Sequence, residues 1–300
     1  MSALRTLLGE SIDYAGLFPP AGLTMAQAVA NYASYRTGPH AWALGRFVVP
    51  ATRLAELEQA ADQVLPRSPS SDRWRLAALI GADVATELEG IGEFNCRHAA
   101  EGAGAIAVDV VEAKADSTDA AERILSRIPS YLQAYIEIPL ARNPAPLATA
   151  VAKRGGRLKV RTGGVTAAAF PSAADLVGFL RAARAAGVPF KATAGLHHPL
   201  RAEYRLTYEP GSACGTMFGF LNLFLAAALV GAGQDDDAAV ERLLEERDRH
   251  AVRFDAAGVE WRGRRLDLDS IRLARETFIV SFGSCSFTEP IGDLQSLGLL

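Results

Sequence analysis

Along the chain, short apolar runs alternate with longer stretches in which apolar residues recur at helical spacing. The runs predict strands at Ile12–Leu17, Arg46–Val49 (RFVV), Leu76–Ile80, Ala105–Val111 (AIAVDVV), Leu132–Ile138 (LQAYIEI), Arg157–Thr162 (RLKVRT) and Phe190–Ala194 (FKATA). The stretches between them predict helices from Thr24 to about Tyr35, at about Arg53–Val64, at Asp83–Cys96, at about Ser117–Ile128, at Pro144–Lys153 and at Ser172–Ala186. Capping chemistry sets several of the ends. Asp83 and Ser117 or Thr118 offer side-chain oxygens to the first free N–H groups, whereas Gly155-Gly156 and Gly187 permit a left-handed stop. Leu65–Asp72, built of proline, serine and aspartate, reads as a surface loop. Strands that are each followed by a helix imply a parallel α/β fold.

An eighth strand, Phe278–Phe282 (FIVSF), comes only after a long interval at about 199–276. That interval holds an apolar helix at Met217–Val230 (MFGFLNLFLAAALV), an acidic-to-basic helix at about Asp236–Arg249, a hairpin at Val252–Trp261 and a short helix near Leu268–Glu276. The whole predicts one (β/α)8 barrel domain over residues 1–300, with a mostly helical insertion between strands seven and eight. A doubly wound open sheet is the alternative, but no glycine-rich phosphate loop of the nucleotide-binding kind follows the early strands. The apolar helix is short for a bilayer and carries Asn222 in its middle, so it reads as a buried helix or a homodimer contact. Asp235-Asp236-Asp237 reads as the capped start of a helix.

Composition narrows the function classes. With 49% hydrophobic and 22% charged residues and a net charge of −3, the chain is neither disordered nor a basic nucleic-acid binder. No signal-length apolar run opens it, so no membrane partner is expected. Cys96, Cys214 and Cys285 are odd in number and far apart, which predicts a reducing cytoplasm and neither a disulfide framework nor a metal site. Of 31 lysines and arginines, only Lys114, Lys153, Lys159 and Lys191 are lysine.

Buried strands of a barrel are apolar, so the charges inside them need a reason. They are Asp109 in AIAVDVV, Glu137 in AYIEIP, Lys159 and Arg161 in LKVRTGG, and Lys191 in FKATAG. Alternation puts Lys159 and Arg161 on one face, and likewise Lys191 and Thr193. Crowded among cations in a dry site, a lysine is expected to lose its proton more easily and so to become a nucleophile toward a carbonyl. Arginine cannot do this, but its fork suits a substrate carboxylate.

The runs AVDVV, AYIEIPL, LKVRTGG and FKATAG, with the opening IDYAGLFPPAGLTM, resemble the Schiff-base (class I) aldolases of the deoxyribose-phosphate aldolase type. The resemblance extends over about 12–194. It implies a (β/α)8 barrel that makes or breaks a carbon–carbon bond beside a carbonyl without a cofactor. It further implies that Lys159 is the Schiff-base nucleophile, that Lys191 lowers its pKa and that Asp109 helps proton transfer. The chain departs from that family at Arg161, where the family has a small residue, at Gly195-Leu196-His197-His198, and in its long insertion. Its FGSCSFTEP segment is a loose analogue of the family's phosphate grip.

Beyond these, His197 and His198 follow strand seven on the catalytic face, and adjacent residues of an extended chain point opposite ways, so one of them is expected in the site. Ser281, Gly283 and Ser284 meet the loop after strand eight and could bind an anion. Cys285 reads as a packed filler, and Asp13 and Glu289 as turn or cap residues or, less often for such positions, site carboxylates. Three hypotheses follow: a cofactor-independent, aldolase-like lyase acting on a small carbonyl or oxo-acid compound; a metal-assisted hydrolase or isomerase using His197 or His198 with Glu137 or Asp109; and a non-catalytic barrel whose insertion binds a partner.

Overall fold

A computed structural model describes residues 2–67, 73–140, 143–233 and 236–300. After a short helix α1 (Ala3–Leu8), seven strands enter a common ring: β1 (Ile12–Tyr14), β2 (Leu44–Pro50), β3 (Trp74–Leu79), β4 (Ile106–Lys114), β5 (Gln133–Glu137), β6 (Arg157–Arg161) and β7 (Phe190–Thr193). Short strands β8 (Ala202–Arg205), β9 (Cys214–Met217), β10 (Val252–Phe254), β11 (Gly258–Trp261) and β12 (Arg264–Asp267) intervene before β13 (Ile279–Ser284) completes it. The ring is a closed barrel of eight parallel strands, with β13 between β7 and β1 and with β2 closing back onto β1. Helices α2 (Met25–Thr37), α3 (Leu54–Ala61), α4 (Val84–His98), α5 (Thr118–Leu125), α6 (Ala145–Lys153) and α7 (Ala173–Ala186) alternate with the strands, as a (β/α)8 barrel requires.

Local chemistry explains the element ends. Thr24 with Gln27 and Ser172 with Asp175 form reciprocal capping boxes at the starts of α2 and α7. Asp83 and Ser117 cap α4 and α5, and Gly187 ends α7 at φ +65°. Two strands end three residues away from the sequence reading, the others within one or two. β1 stops at Tyr14, and β4 runs on to Lys114, three residues past the expected end. Of the loop Leu65–Asp72, residues 68–72 lie outside those described, as does Asp235; Asp236 caps the next helix through Ala239 N–H at 2.8 Å.

The interval between β7 and β13 is only partly helical. It carries α8 (Phe220–Ala232), α9 (Asp237–Leu244) and α10 (Leu268–Thr277), but also the β8–β9 hairpin and the antiparallel β10–β11–β12 sheet that extends the predicted hairpin. A final helix, α11 (Thr288–Ser296), follows β13. Every residue of α8 from Phe220 to Val230 is buried within one chain, packed by α7, α9, α10 and β13. The homodimer contact expected there is therefore corrected: the chain itself covers this face. Asn222 is tolerated in it because its amide donates to the carbonyls of Leu243 and Glu246 at 2.8 and 2.9 Å and accepts from Arg201 N–H at 2.9 Å. Among the described residues, no helix is long and apolar enough to cross a membrane.

Inside the barrel, Val48, Ala77, Val110 and Tyr135 form a buried apolar layer. Charged side chains lie on both sides of it.

Candidate active site

The strand register sets three of the predicted charges side by side. Glu137 on β5 is level with Lys159 on β6, which is level with Lys191 on β7. Lys159 Nζ lies 2.8 Å from Glu112 and 2.9 Å from Glu137. Lys191 Nζ donates to Asp13 at 2.5 Å and to Glu112 at 2.6 Å. Ser281 donates to the same Asp13 oxygen at 2.7 Å, and the backbone N–H of Arg46 holds the other at 2.8 Å. Lys114, at the end of β4, reaches Glu137 at 3.5 Å. The result is a line of alternating charge, Lys114–Glu137–Lys159–Glu112–Lys191–Asp13, whose inner members are almost fully buried.

This line reverses one expectation. Burial opposes a charged amine at Lys159, but the carboxylates of Glu112 and Glu137 outweigh it and raise the pKa above the ordinary lysine value. Burial likewise opposes the charge of Lys191, and Asp13 and Glu112 raise its pKa too. Glu112, which burial alone would push up, is held down to about 2 by the two lysines. Cations therefore do not depress Lys159 in the resting protein, because its nearest neighbours are anions.

Asp109 is not part of this line. The β3–β4 register slips between Leu76 and Ala77, so Leu76 pairs with Val108 and Ala77 with Val110, leaving Asp109 as the extra residue of a bulge. It faces the N-terminal end of the barrel, where Arg46 grips it with two bonds of 2.7 Å and Arg75 adds one of 3.0 Å. The strand-four carboxylate among the lysines is Glu112, which the sequence reading missed by ending the strand at Val111. Inward alternation from Val110 through a longer strand is the signal that points to it.

A cavity of ≈ 240 Å³ opens at the C-terminal end of the strands, above Glu112, Lys159 and Lys191. Arg161 and Thr193 are on its wall, as alternation predicted. Arg161 is exposed and makes no ion pair among the described residues, and the buried Thr193 hydroxyl has no hydrogen-bond partner among them. After β7 the chain turns sharply: Ala194 and Gly195 are both left-handed, at φ +67° and +73°. Thr162 Oγ1 pins the turn by donating to Ala194 O at 2.7 Å. A side chain at Gly195 would meet the Phe170 ring at 2.7 Å, so glycine is required there.

The turn brings His197 into the cavity wall, where Nδ1 lies 3.3 Å from Glu289, 3.4 Å from Ser284 Oγ and 3.8 Å from Cys285 Sγ. Burial works against its charge, but Cys285 and Glu289 raise its pKa to about 9. His198 points away, 2.6 Å from Asp293 and stacked on Tyr204. One histidine of the pair thus enters the site. Gly283 and Cys285 line the cavity, while Ser281 and Ser284 stand behind it, holding Asp13 and His197. Asp13 and Glu289, read as turn or cap residues, are instead partners of Lys191 and His197. Of the residues named for the metal-assisted reading, Asp109 is at the far end of the barrel and His198 is committed to Asp293. Among the described residues, no group of three or more His, Cys, Asp and Glu side chains is placed to hold a metal ion.

In comparisons with known proteins, no family model, no curated protein and no solved structure matches the chain.

Proposed function

We propose that this protein is a cofactor-independent, aldolase-like lyase in which Lys159 forms a Schiff base with a small carbonyl or oxo-acid substrate. The observation that carries the reading is the placement of the Lys159 amine, at the base of a small cavity and within 2.9 Å of two carboxylates that can take its proton. The resemblance of strands five to seven to the Schiff-base aldolases supports it, with Glu112 taking the part that the resemblance assigned to Asp109.

The chemistry follows from these neighbours. Lys159 gives a proton to Glu137 or Glu112, and its lone pair then attacks the substrate carbonyl carbon. The carbinolamine so formed loses its oxygen as water, with protons returned by the same carboxylates, and leaves a protonated imine. Cleavage of the adjacent carbon–carbon bond sends its electron pair into that imine as an enamine, while a base takes the proton of the departing hydroxyl. His197, charged at neutral pH, is an acid in the cavity wall. Arg161 offers its fork to a substrate carboxylate and Thr193 an unused hydroxyl. Lys191 stays protonated between Asp13 and Glu112 and keeps Glu112 ionised, which makes Glu112 a weaker base than an ordinary carboxylate.

Incubating the protein with a panel of aldehydes, ketones and 2-oxo acids, reducing with borohydride and mapping the peptides by mass spectrometry tests the reading. The expected result is an adduct on Lys159 that disappears in Lys159→Met. No adduct at any pH between neutral and strongly alkaline, or an adduct on Lys191 alone, overturns it.

A further inference from the structure

The larger cavity of this barrel is at the other end. It has a volume of ≈ 1510 Å³, opens among the N-terminal ends of the strands, and is lined by eight arginines against three carboxylates. Two of those carboxylates are already spent: Asp109 is shared by Arg46 and Arg75, and Glu10 is bound to Arg75 at 3.0 Å. Arg157 donates one N–H to Tyr135 Oη at 3.1 Å and makes no ion pair among the described residues. The hydrogen bonds of Arg275 go to carbonyl oxygens, those of Gly9, Ile279 and Val280, and its guanidinium lies over the Phe224 ring.

Donors are in excess even behind the wall. Arg275 Nε and Trp42 Nε1 are shut off from solvent without a hydrogen-bond partner among the described residues. Burial without a carboxylate in contact pushes the Arg275 guanidinium down to about 10. A buried cation in that state is relieved by an anion brought close to it, and planar guanidinium forks match phosphoryl oxygens two at a time. The volume exceeds that of a typical small-molecule site and leaves ample room for more than a single ion.

We propose that this arginine-lined cavity binds a small phosphorylated anion at the end of the barrel opposite the candidate active site, with Arg157 gripping the phosphoryl oxygens and Arg275 supplying charge behind them. The site is independent of the lysine chemistry. It shares no lining residue with the upper cavity, and the Val48–Ala77–Val110–Tyr135 layer lies between the two.

The test is titration calorimetry with pyrophosphate on the intact protein, with inorganic phosphate, citrate and sodium chloride at matched ionic strength as separate arms. Saturable binding of pyrophosphate is expected, tighter than that of citrate. Arg157→Gln should weaken it by about tenfold, as expected for loss of a charge-assisted contact. Arg73→Gln, an exposed change at the rim, should weaken it less, and Arg161→Gln in the upper cavity should leave it unchanged. Heat no greater than that of chloride, or an affinity that falls in Arg161→Gln but not in Arg157→Gln, overturns the site. Citrate binding as tightly as pyrophosphate overturns its assignment to phosphoryl groups.

Discussion

Glu112 is the residue on which both lysines depend, and its removal separates charge from shape. Glu112→Gln keeps the volume but leaves Lys159 with Glu137 alone and Lys191 with Asp13 alone. A buried ion that loses its partner is costly, so the variant should be less stable by about 3 kcal/mol or more, read from urea unfolding at neutral pH. The pH dependence gives a second reading. A carboxylate held down to about 2 against an ordinary 4.5 contributes stability that is fully present above the higher value and is lost as pH falls toward the lower one. The wild type should therefore lose stability across that acid window more steeply than Glu112→Gln does. The same change removes one of the two anions that keep Lys159 protonated, so borohydride-trapped adduct should form at lower pH than in the wild type. An unchanged pH profile of trapping would show that Glu112 does not control the amine. The sequence made Lys159 and Lys191 legible because they are charges in apolar strands of a lysine-poor chain. It hid Asp13 behind a short strand and hid Glu112 behind a misplaced strand end.

At the scale of elements, strand β4 carries two acidic residues that serve opposite ends of the barrel. Three positions separate Asp109 from Glu112, so an unbroken strand would turn one of them outward. The bulge at Asp109 lets both face inward, with the apolar Val110 between them. A bulge leaves no mark in a hydrophobic pattern, which is why Asp109, taken as one of the charges inside the strands and given a proton-transfer part by the resemblance, was expected at the wrong end. Asp109→Asn should then weaken the grip of Arg46 and Arg75 and lower stability by about 1.5–3 kcal/mol, the range for charge-assisted hydrogen bonds. It should leave adduct formation at Lys159 unaltered; a loss of adduct in a variant that unfolds like the wild type would return Asp109 to the chemistry. The helices were easier to read, because caps such as Thr24 and Ser172 and stops such as Gly187 are local signals. The interval after β7 was harder. Its small sheets are held by the surrounding chain, and the apolar run of α8 looks the same whether a partner or the chain itself covers it.

For the molecule as a whole, closure and chemistry draw on the same side chains. The barrel closes where three-residue β1 meets β13, and there Asp13 reaches across to Lys191 on β7 and Ser281 on β13. Three of the four lysines of the chain belong to this one charged line, in which three carboxylates balance three amines. The balance decides the cost of a substitution. Lys191→Met leaves Asp13 buried without its cation and Glu112 with one lysine instead of two, so a loss of about 3–5 kcal/mol is expected. Adding Asp13→Asn removes the uncompensated charge and restores neutrality to the line. The double variant should therefore unfold at a higher urea concentration than Lys191→Met alone, although it carries one more change in the core. If the two substitutions instead add, the pair does not act through charge balance, and Asp13 serves the closure by its hydrogen bonds to Arg46 and Ser281. Recovery of stability without recovery of the wild-type pH profile of trapping would place Lys191 in the tuning of Lys159 and separate that duty from its share in closing the barrel.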